Sequence, residues 1–188
     1  MDVPRSRYVV FVLLAVLGLA LDLGTKSWIF SRQGMPFMSG PIWIVRDVLS
    51  LETNLNEGAL FGMGQGKVPI FATMSTIAAL AICYWVFFGG GAQDRWLTVC
   101  LGMILGGILG NLYDRVGMPG LEWNFPPARV GEPVHAVRDW IHFKVEGLID
   151  FPVFNIADSL LVCGVTLLVW HTYRHSPSPS EPQTAPAK

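Results

Sequence analysis

Residues 68–88, VPIFATMSTIAALAICYWVFF, form an apolar stretch without a charged side chain. The hydrocarbon core of a bilayer is about 30 Å thick, and a helix needs about 20 apolar residues to cross it. A backbone that enters lipid must satisfy its own hydrogen bonds, which an α-helix does. The stretch therefore predicts a membrane-spanning helix, and it sets the fold class for the chain around it.

Three further stretches of similar character flank this one. The four predicted spans cover residues 8–30, 68–88, 96–113 and 153–173. Between the second and third lies only GGGAQDR, whose glycines favour a tight turn, so these two helices should form an antiparallel hairpin. An even number of spans leaves both ends of the chain on one side of the membrane.

The start of the first span has features of a cleaved signal peptide, because Arg5 and Arg7 precede an apolar run in the order typical of such peptides. The run does not end at a small-residue cleavage site. It continues past Asp22 and Lys26, and three more spans follow. We therefore expect a retained helix.

The composition agrees with a membrane protein. Of the 188 residues, 52% are hydrophobic and 14% are charged, against about 25% charged in soluble domains. The formal net charge of -1 lacks the basic excess with which nucleic-acid binders neutralise phosphates, so no nucleic-acid partner is expected. Three cysteines lie inside apolar runs and indicate helix packing: Cys83, Cys100 and Cys163. We expect one integral membrane domain, residues 1–175, and a disordered Pro- and Ser-rich tail, residues 176–188.

The two long connections carry patterns of their own. Apolar and polar residues alternate imperfectly over residues 41–56, which favours short strands at the membrane surface. The connection over residues 115–151 opens with GMPGLEWNFPPARVGEP and continues as VRDWIHFKVEG. The first part predicts a mobile flap or surface loop, and the second an extended or re-entrant segment. The predicted class is an all-α membrane protein with four transmembrane helices and a small β-strand region.

Ionisable side chains inside apolar spans are informative, because each costs about 2.5 to 3.5 kcal/mol at a helix centre and is usually paired and functional. Asp22 and Lys26 are four residues apart and share one helix face, where they can neutralise each other. Asn111, Asp114 and Arg115 end the third span in GGILGNLYDR and again gather on one side. A structural ion pair, and a polar cap on a small-residue packing face, stay open as alternative interpretations.

The remaining polar candidates lie at segment ends. Asn155 and Asp158 in FPVFNIADS can be an N-cap and a first-turn acid of the fourth helix. Alternation in VRDWIHF sets Asp139 among apolar side chains on one side of an extended segment, and an acid in such surroundings has a raised pKa. Asn56 in TNLNEGALFG also fits a turn.

Together these strings are similar to the conserved blocks of one family. They occur in the order DLGTK (22–26), NEGALFG (56–62), GGILGNLYDR (106–115), VRDW (137–140) and FNIAD (154–158). Each block alone is weak, but five in this order and topology are specific. The chain resembles lipoprotein signal peptidase, also called signal peptidase II, over nearly all of residues 8–173.

The resemblance implies a membrane-embedded aspartyl endopeptidase without a cofactor, with Asp139 and Asp158 as its catalytic pair. Two carboxylates that share a proton can hydrolyse a peptide bond, one as general base and the other as acid. The sequence leaves open which aspartate has which role. The resemblance also assigns substrate-binding or supporting positions to Asp22, Lys26, Asn56, Gly58, Asn111, Asp114, Arg115 and Asn155.

The resemblance further implies a substrate and a location. Enzymes of this family remove the signal peptide from diacylglyceryl-modified bacterial prolipoproteins, on the N-terminal side of the lipidated cysteine. Such substrates and membrane lipids are the expected partners. The termini would face the cytoplasm, and the active site and the re-entrant or extended loop would lie at the outer surface of the bacterial inner membrane. The distribution of Lys and Arg alone does not fix this orientation.

Two features depart from the family pattern. The stretch between Arg115 and Val137 is much longer than the resemblance leads us to expect, and Trp140 stands where Phe or Tyr is more usual. The first departure concerns the shape of the loop. It leaves both aspartates on the flanks of the same short connection.

Other classes of protein make different predictions. A metal centre is not expected, because the four histidines show no ligand spacing tied to the carboxylates: His135, His142, His171 and His175. A small proton-coupled transporter or channel also uses intramembrane Asp, Lys and Arg, but the chain shows no internal repeat. A scaffold without catalysis leaves the clustering of polar residues at helix ends unexplained. A shortened product from a lipidated prolipoprotein distinguishes the protease from both alternatives.

Overall fold

The computed structural model describes residues 3–58 and 63–175 of the chain. Its long helices are α1 (Arg5–Gln33), α2 (Val68–Phe87), α3 (Arg95–Arg115) and α4 (Ile156–His175). A small sheet is formed by β1 (Ile42–Val45), β2 (Leu49–Asn56), β3 (Val137–Val145) and β4 (Ile149–Phe154). The predicted tail, residues 176–188, and residues 59–62 of NEGALFG lie outside the described residues. The domain boundary at residue 175 stays a prediction.

All four of these helices are long and apolar enough to cross a membrane. Their outer surfaces expose large apolar side chains, such as Leu17 on α1, Leu80 on α2 and Val169 on α4. A continuous apolar surface of this kind is suited to lipid chains and not to water. The predicted four spans are confirmed.

Glycines make α3 the central helix, because they let α1 and α4 approach its backbone closely. A Cβ atom at Gly106 would lie 3.0 Å from the carbonyl oxygen of Ala15 on α1. A Cβ atom at Gly107 would lie 2.5 Å from the carbonyl oxygen of Ala157 on α4. Close backbone approach through small residues is how helices associate in lipid. The small-residue packing face of GGILGNLYDR is therefore present.

The sheet is antiparallel throughout, in the order β1-β2-β3-β4. Tight turns join the strands of each outer pair, with Asp47 at φ 59° in the first and Gly147 at φ 73° in the second. Aspartate and glycine are among the residues that tolerate this left-handed conformation. The two hairpins meet where β2 pairs with β3, and Asn54 lies opposite Asp139 there. The polar ends of β2 and β3 are thereby brought together beside the helices.

The fourth helix begins later than predicted, and the start at residue 153 is wrong. Val153 and Phe154 belong to β4, and the helix begins at Ile156. The physical reason is Asn155, whose side-chain oxygen accepts a hydrogen bond from the backbone N–H of Asp158 at 2.9 Å. This N-cap fixes the boundary between strand and helix. The other helix ends differ from the predicted ones by a few residues.

The segment VRDWIHFKV is an extended strand, which decides between the two predicted alternatives for it. Simple alternation of buried and exposed side chains is wrong for its first part, because Val137, Arg138, Asp139 and Trp140 are all buried. One side of this part faces Asn155, which donates to Asp139, and the other side extends Arg138 toward α3. Alternation of apolar and polar residues predicts which side chains are buried only where one face of a strand is exposed to solvent.

The connection between α3 and β3 folds back on itself as a narrow loop, which we call the α3–β3 hairpin (residues 117–135). Backbone hydrogen bonds run from Val134 N–H to the Leu121 carbonyl at 2.9 Å and from Trp123 N–H to the Glu132 carbonyl at 2.9 Å. Most of its side chains are exposed or half-buried. This arrangement is that of a surface loop with an internal ladder. The mobility expected of it stays a prediction.

Candidate active site

A buried ion cluster joins α1 to the end of α3. The ammonium group of Lys26 lies 2.7 Å from Asp22 Oδ2, 3.0 Å from Asp114 Oδ2 and 3.0 Å from Asn111 Oδ1. The side chains of Lys26, Asp22 and Asp114 are fully buried. An ammonium group has three donors, and three side-chain oxygens lie within 3.0 Å of this one. The ion pair expected within α1 is therefore one part of a larger cluster.

Arg138 of β3 adds a second cation to this cluster. Its Nε donates to Asp114 Oδ1 at 2.9 Å, and its backbone N–H donates to Asp114 Oδ2 at 3.0 Å. Removing one partner from a buried ion pair costs about 3 to 5 kcal/mol, because the other charge is left uncompensated. Sequence reasoning did not select Arg138, since alternation assigns it to the face opposite Asp139. The acid at Asp114 is the sequence feature that indicates a nearby cation, but it does not identify Arg138 as that cation.

Asp22 also contacts the start of α4. Its Oδ1 accepts a hydrogen bond from the backbone N–H of Ala157 at 2.9 Å. The first N–H groups of a helix have no partner within it, and negative charge is favourable there. A Cβ atom at Gly110 would contact the Asp22 carboxylate, so glycine leaves the room that this carboxylate occupies. One side chain of α1 is thereby packed against both α3 and α4.

Two asparagines connect the ion cluster to the two predicted catalytic aspartates. Asn111 Oδ1 accepts hydrogen bonds from Lys26 Nζ at 3.0 Å and from Asn155 Nδ2 at 3.1 Å. This orients Asn111 Nδ2 toward Asp158 Oδ1, to which it donates at 2.8 Å. Asn155 Nδ2 also donates to Asp139 Oδ1 at 2.6 Å. The two aspartates are therefore linked by a chain of hydrogen bonds through both amides.

The two aspartates have different surroundings. Asp139 is 1% exposed, and this burial raises its pKa to about 8, with the charge of Asp158 acting in the same direction. The charge of Lys26 and hydrogen bonds from two asparagine side chains oppose that rise. Asp158 is half-buried and accepts hydrogen bonds on both oxygens, from Asn111 and from the backbone N–H of Asn155 at 3.3 Å. Burial therefore favours the protonated form of Asp139 at neutral pH, whereas the contacts of Asp158 suit a carboxylate, which only accepts.

The segment after β2 forms the edge of the site. Arg115 Nη2 donates to the Gly58 carbonyl at 2.8 Å. Asn56 Oδ1 accepts from Gly58 N–H at 2.9 Å and from Gln65 Nε2 at 3.1 Å. These two donors fix the amide oxygen of Asn56, and its amide hydrogen-bonds to Asp139. Gln65 has no signal in the sequence that selects it, because its role depends on the path of the chain after Gly58.

A cavity of about 290 Å³ opens beside Asp158, between β4 and α4. One end carries polar residues of the site: Asn56, Asn111, Arg115 and Asp158. The rest is mainly apolar, including Phe151, Phe154, Val162 and Cys163. Val162 and Cys163 belong to the outward surface of α4. The cavity therefore opens toward the apolar side of the bundle.

All ten residues predicted for the site lie in one connected cluster or at its edge: Asp22, Lys26, Asn56, Gly58, Asn111, Asp114, Arg115, Asp139, Asn155 and Asp158. The fold and this cluster define a four-span membrane protein with a buried acidic site where the helices meet a small sheet.

Comparison with known proteins identifies the family within this class. The sequence matches the family described as Signal peptidase (SPase) II over residues 14–174. Lipoprotein signal peptidase of Rhodopirellula baltica is 43% identical over 175 residues, which cover 90% of this chain and 74% of that relative. The lipoprotein signal peptidase of Geobacillus thermodenitrificans is 34% identical over 167 residues, with 89% and 91% covered. A solved structure of a bacterial membrane enzyme superposes with a TM-score of 0.68 at 26% identity, covering 91% of this chain and 94% of that one.

This chain belongs to the signal peptidase II family. It is a multi-pass bacterial membrane protein. The family expected from the five sequence blocks is confirmed.

Proposed function

We propose that the chain is an aspartic endopeptidase that removes the signal peptide from diacylglyceryl-modified prolipoproteins, with Asp139 and Asp158 as its catalytic pair. The names of its relatives support the substrate class. The observation that carries the mechanism is the hydrogen-bonded chain from Asp139 through Asn155 and Asn111 to Asp158. In this proposal, the chain of hydrogen bonds holds a protonated acid and a carboxylate in a fixed relative orientation.

The different surroundings of the aspartates suggest their roles. Asp158 acts as general base and takes a proton from the water that attacks the peptide carbonyl carbon. Asp139 donates a hydrogen bond to the carbonyl oxygen and stabilises the negative charge that develops on it. When the C–N bond breaks, the proton taken up by the pair passes to the leaving amine. Asn111 and Asn155 keep the two carboxyl groups oriented throughout.

The leaving amine, in this proposal, belongs to the lipidated cysteine. The cavity beside Asp158 opens toward the apolar side of the bundle, so the diacylglyceryl group can stay in lipid while the peptide bond reaches the aspartates. Asn56, Gly58 and Arg115 at the edge of the site would contact the substrate backbone. The membrane-spanning signal peptide would lie along the same side.

We infer that the termini are cytoplasmic and that the site lies near the outer face of the inner membrane. The polar ends of α1 and α3 and the start of α4 lie at one end of the bundle, together with the sheet. A site at one membrane surface suits a cleavage point at the end of a spanning signal peptide. The outer surface is where an exported prolipoprotein presents that point.

Cleavage of a purified substrate tests the proposal. The protein, reconstituted in lipid, should shorten a diacylglyceryl-modified prolipoprotein and leave the modified cysteine as the new N-terminus, which mass spectrometry can identify. Asp139→Asn and Asp158→Asn should each lower turnover by about 10² to 10⁴-fold, the size of a general acid or base contribution.

Two controls keep the result specific. The same prolipoprotein without the diacylglyceryl group should be cut poorly, and the thermal unfolding of each variant should show that it is folded. Substantial turnover in either folded variant would exclude the aspartate pair. A product that starts at another residue would exclude the proposed cleavage site.

A further inference from the structure

A second ion cluster, outside the catalytic pair, joins the α3–β3 hairpin to the edge of the site. Arg129 Nη1 and Nη2 lie 3.1 Å and 3.0 Å from the two carboxylate oxygens of Glu57. Arg129 Nε donates to Glu132 Oε2 at 3.2 Å, within the hairpin. The guanidinium carbon lies 4.2 Å from the centre of the Trp123 ring. Every guanidinium nitrogen has a partner, and the stack on Trp123 fixes the plane of the group.

Glu57 stands between two residues that form the edge of the site. Asn56 precedes it and hydrogen-bonds to Asp139, and Gly58 follows it and accepts a hydrogen bond from Arg115. The backbone N–H of Glu57 donates to Gln65 Oε1 at 3.1 Å. The segment 56–58 is therefore held by Arg115 of α3 on one side and by Arg129 of the hairpin on the other. A shift of Glu57 would move the Asn56 amide relative to Asp139.

The surroundings of the segment leave room for such a shift. A cavity of about 370 Å³ lies behind it, lined by Glu57, Val68, Arg115, Arg129 and His135 among others. Close packing does not hold Glu57 in place on this side, and its carboxylate is held there by the ion pair with Arg129. The pair is only partly exposed, with 32% of the Arg129 side chain and 20% of the Glu57 side chain accessible. Bidentate geometry and stacking distinguish it from an ordinary surface pair.

We propose that Arg129 is a positioning residue of the peptidase. Through Glu57 it fixes the backbone of segment 56–58 and thereby the Asn56 amide that contacts Asp139. The α3–β3 hairpin is then a part of the frame of the active site and not a passive insertion. The proposal rests on the proposed function, because it gives Asp139 a catalytic role.

The experiment is a double-mutant cycle on turnover of the lipidated prolipoprotein. Arg129→Gln and Glu57→Gln should each lower kcat about fivefold to tenfold with little change in KM, as expected for loss of one charged, bidentate contact. The double variant should be no slower than either single variant, because both changes remove the same contact. Arg129→Lys keeps the charge but loses the bidentate geometry, and it should recover part of the turnover.

Glu132→Gln is the matched control. It removes the other carboxylate partner of Arg129 and leaves the contact with Glu57, so its kcat should stay close to that of the unmodified protein. Its melting temperature should be no lower than that of Arg129→Gln, which loses the contacts with both carboxylates. If Glu132→Gln slows turnover as much as Arg129→Gln, the hairpin fold and not the contact with Glu57 is responsible, and the positioning role is wrong.

A second measurement does not depend on catalysis. Amide hydrogen exchange at Glu57 and Gly58 should be faster in Arg129→Gln than in the unmodified protein and in Glu132→Gln. Unchanged hydrogen exchange at Glu57 and Gly58, or additive effects on kcat in the double-mutant cycle, would overturn the positioning role. If the unmodified protein still cleaves the substrate normally, the proposed function is not affected by that result. If the unmodified protein cuts no lipidated substrate, the proposed function fails, and the exchange result still decides whether Arg129 holds segment 56–58.

Discussion

Turnover by this protein should fall as the pH rises from 7 to 9, because Asp139 loses the proton that catalysis needs. With its pKa raised to about 8, about nine-tenths of Asp139 is protonated at pH 7 and about one-tenth at pH 9. The value of kcat/KM should therefore be about tenfold lower at pH 9 than at pH 7. An aspartate near its ordinary pKa of 3.8 has already lost its proton at both values, and it would give no such change.

The assay is the initial rate of cleavage of a labelled, lipidated prolipoprotein between pH 5 and 10 at constant ionic strength. Return of the enzyme from pH 9 to pH 7 should restore the rate, which separates titration from unfolding. Because the two aspartates titrate as a pair, the alkaline midpoint belongs to the pair and not to one residue. A rate that stays constant up to pH 9.5, with the enzyme folded, would refute the role of Asp139 as the proton carrier.

The same pKa has a consequence for stability, and Asp139→Asn provides the control. A carboxyl group whose pKa is raised on folding binds its proton more tightly in the folded protein than in the unfolded chain. Its stabilising contribution is fully present below about 3.8 and is lost as the pH rises toward about 8. In that window the unmodified protein should lose about 1.4 kcal/mol of stability per pH unit through this group. Asn has no such proton, so the melting temperature of the variant minus that of the unmodified protein should increase from pH 5 to pH 8. A constant or decreasing difference would contradict burial as the cause.

Two further predictions concern helix packing and capping, both measured by thermal unfolding in one detergent. Gly107→Ala should lower stability by about 1 to 3 kcal/mol, because its Cβ would lie 2.5 Å from the Ala157 carbonyl oxygen. Gly24→Ala is the control and should not lower stability, because a Cβ atom at Gly24 would have nothing within 4 Å. Equal melting temperatures of the two variants would contradict the packing argument. Asp94→Ala should cost about 1 kcal/mol, because its Oδ1 caps α3 through Leu97 N–H at 3.0 Å. Asp94→Asn keeps a capping oxygen and should lose less, and an equal loss would show that the cap is not the cause.

The four spans could be predicted because a bilayer imposes their length and composition on each segment separately. The start of α4 could not be predicted from apolar character, since it depends on Asn155. The sequence offered a capping role and a site role for Asn155 as alternatives. In the structure one side chain has both: its oxygen accepts from Asp158 N–H, and its nitrogen donates to Asp139. Local patterns identify such a residue but do not show that its two roles coincide.

The partners that sequence reasoning missed are distant in the chain and follow no periodicity. Arg129 and Glu57 are 72 positions apart, and their contact depends on the fold of the α3–β3 hairpin. Arg138 and Asp114 are 24 positions apart. A buried carboxylate that stays charged requires a nearby cation, but only the tertiary structure decides which one. This is why the acids of the site could be selected from the sequence more completely than the bases.

Charge balance around the site explains why the pKa of Asp139 is raised. Around the site, three acids other than Asp139 are matched by three bases: Asp22, Asp114 and Asp158 by Lys26, Arg138 and Arg115. Ionisation of Asp139 would add a fourth negative charge without a cation of its own, in surroundings that exclude water. The ion cluster that could be interpreted as purely structural therefore also sets the protonation state on which the proposed mechanism depends. If Asp139 had a cation of its own, both aspartates would be ionised at neutral pH, and no acid would be left to assist the peptide carbonyl.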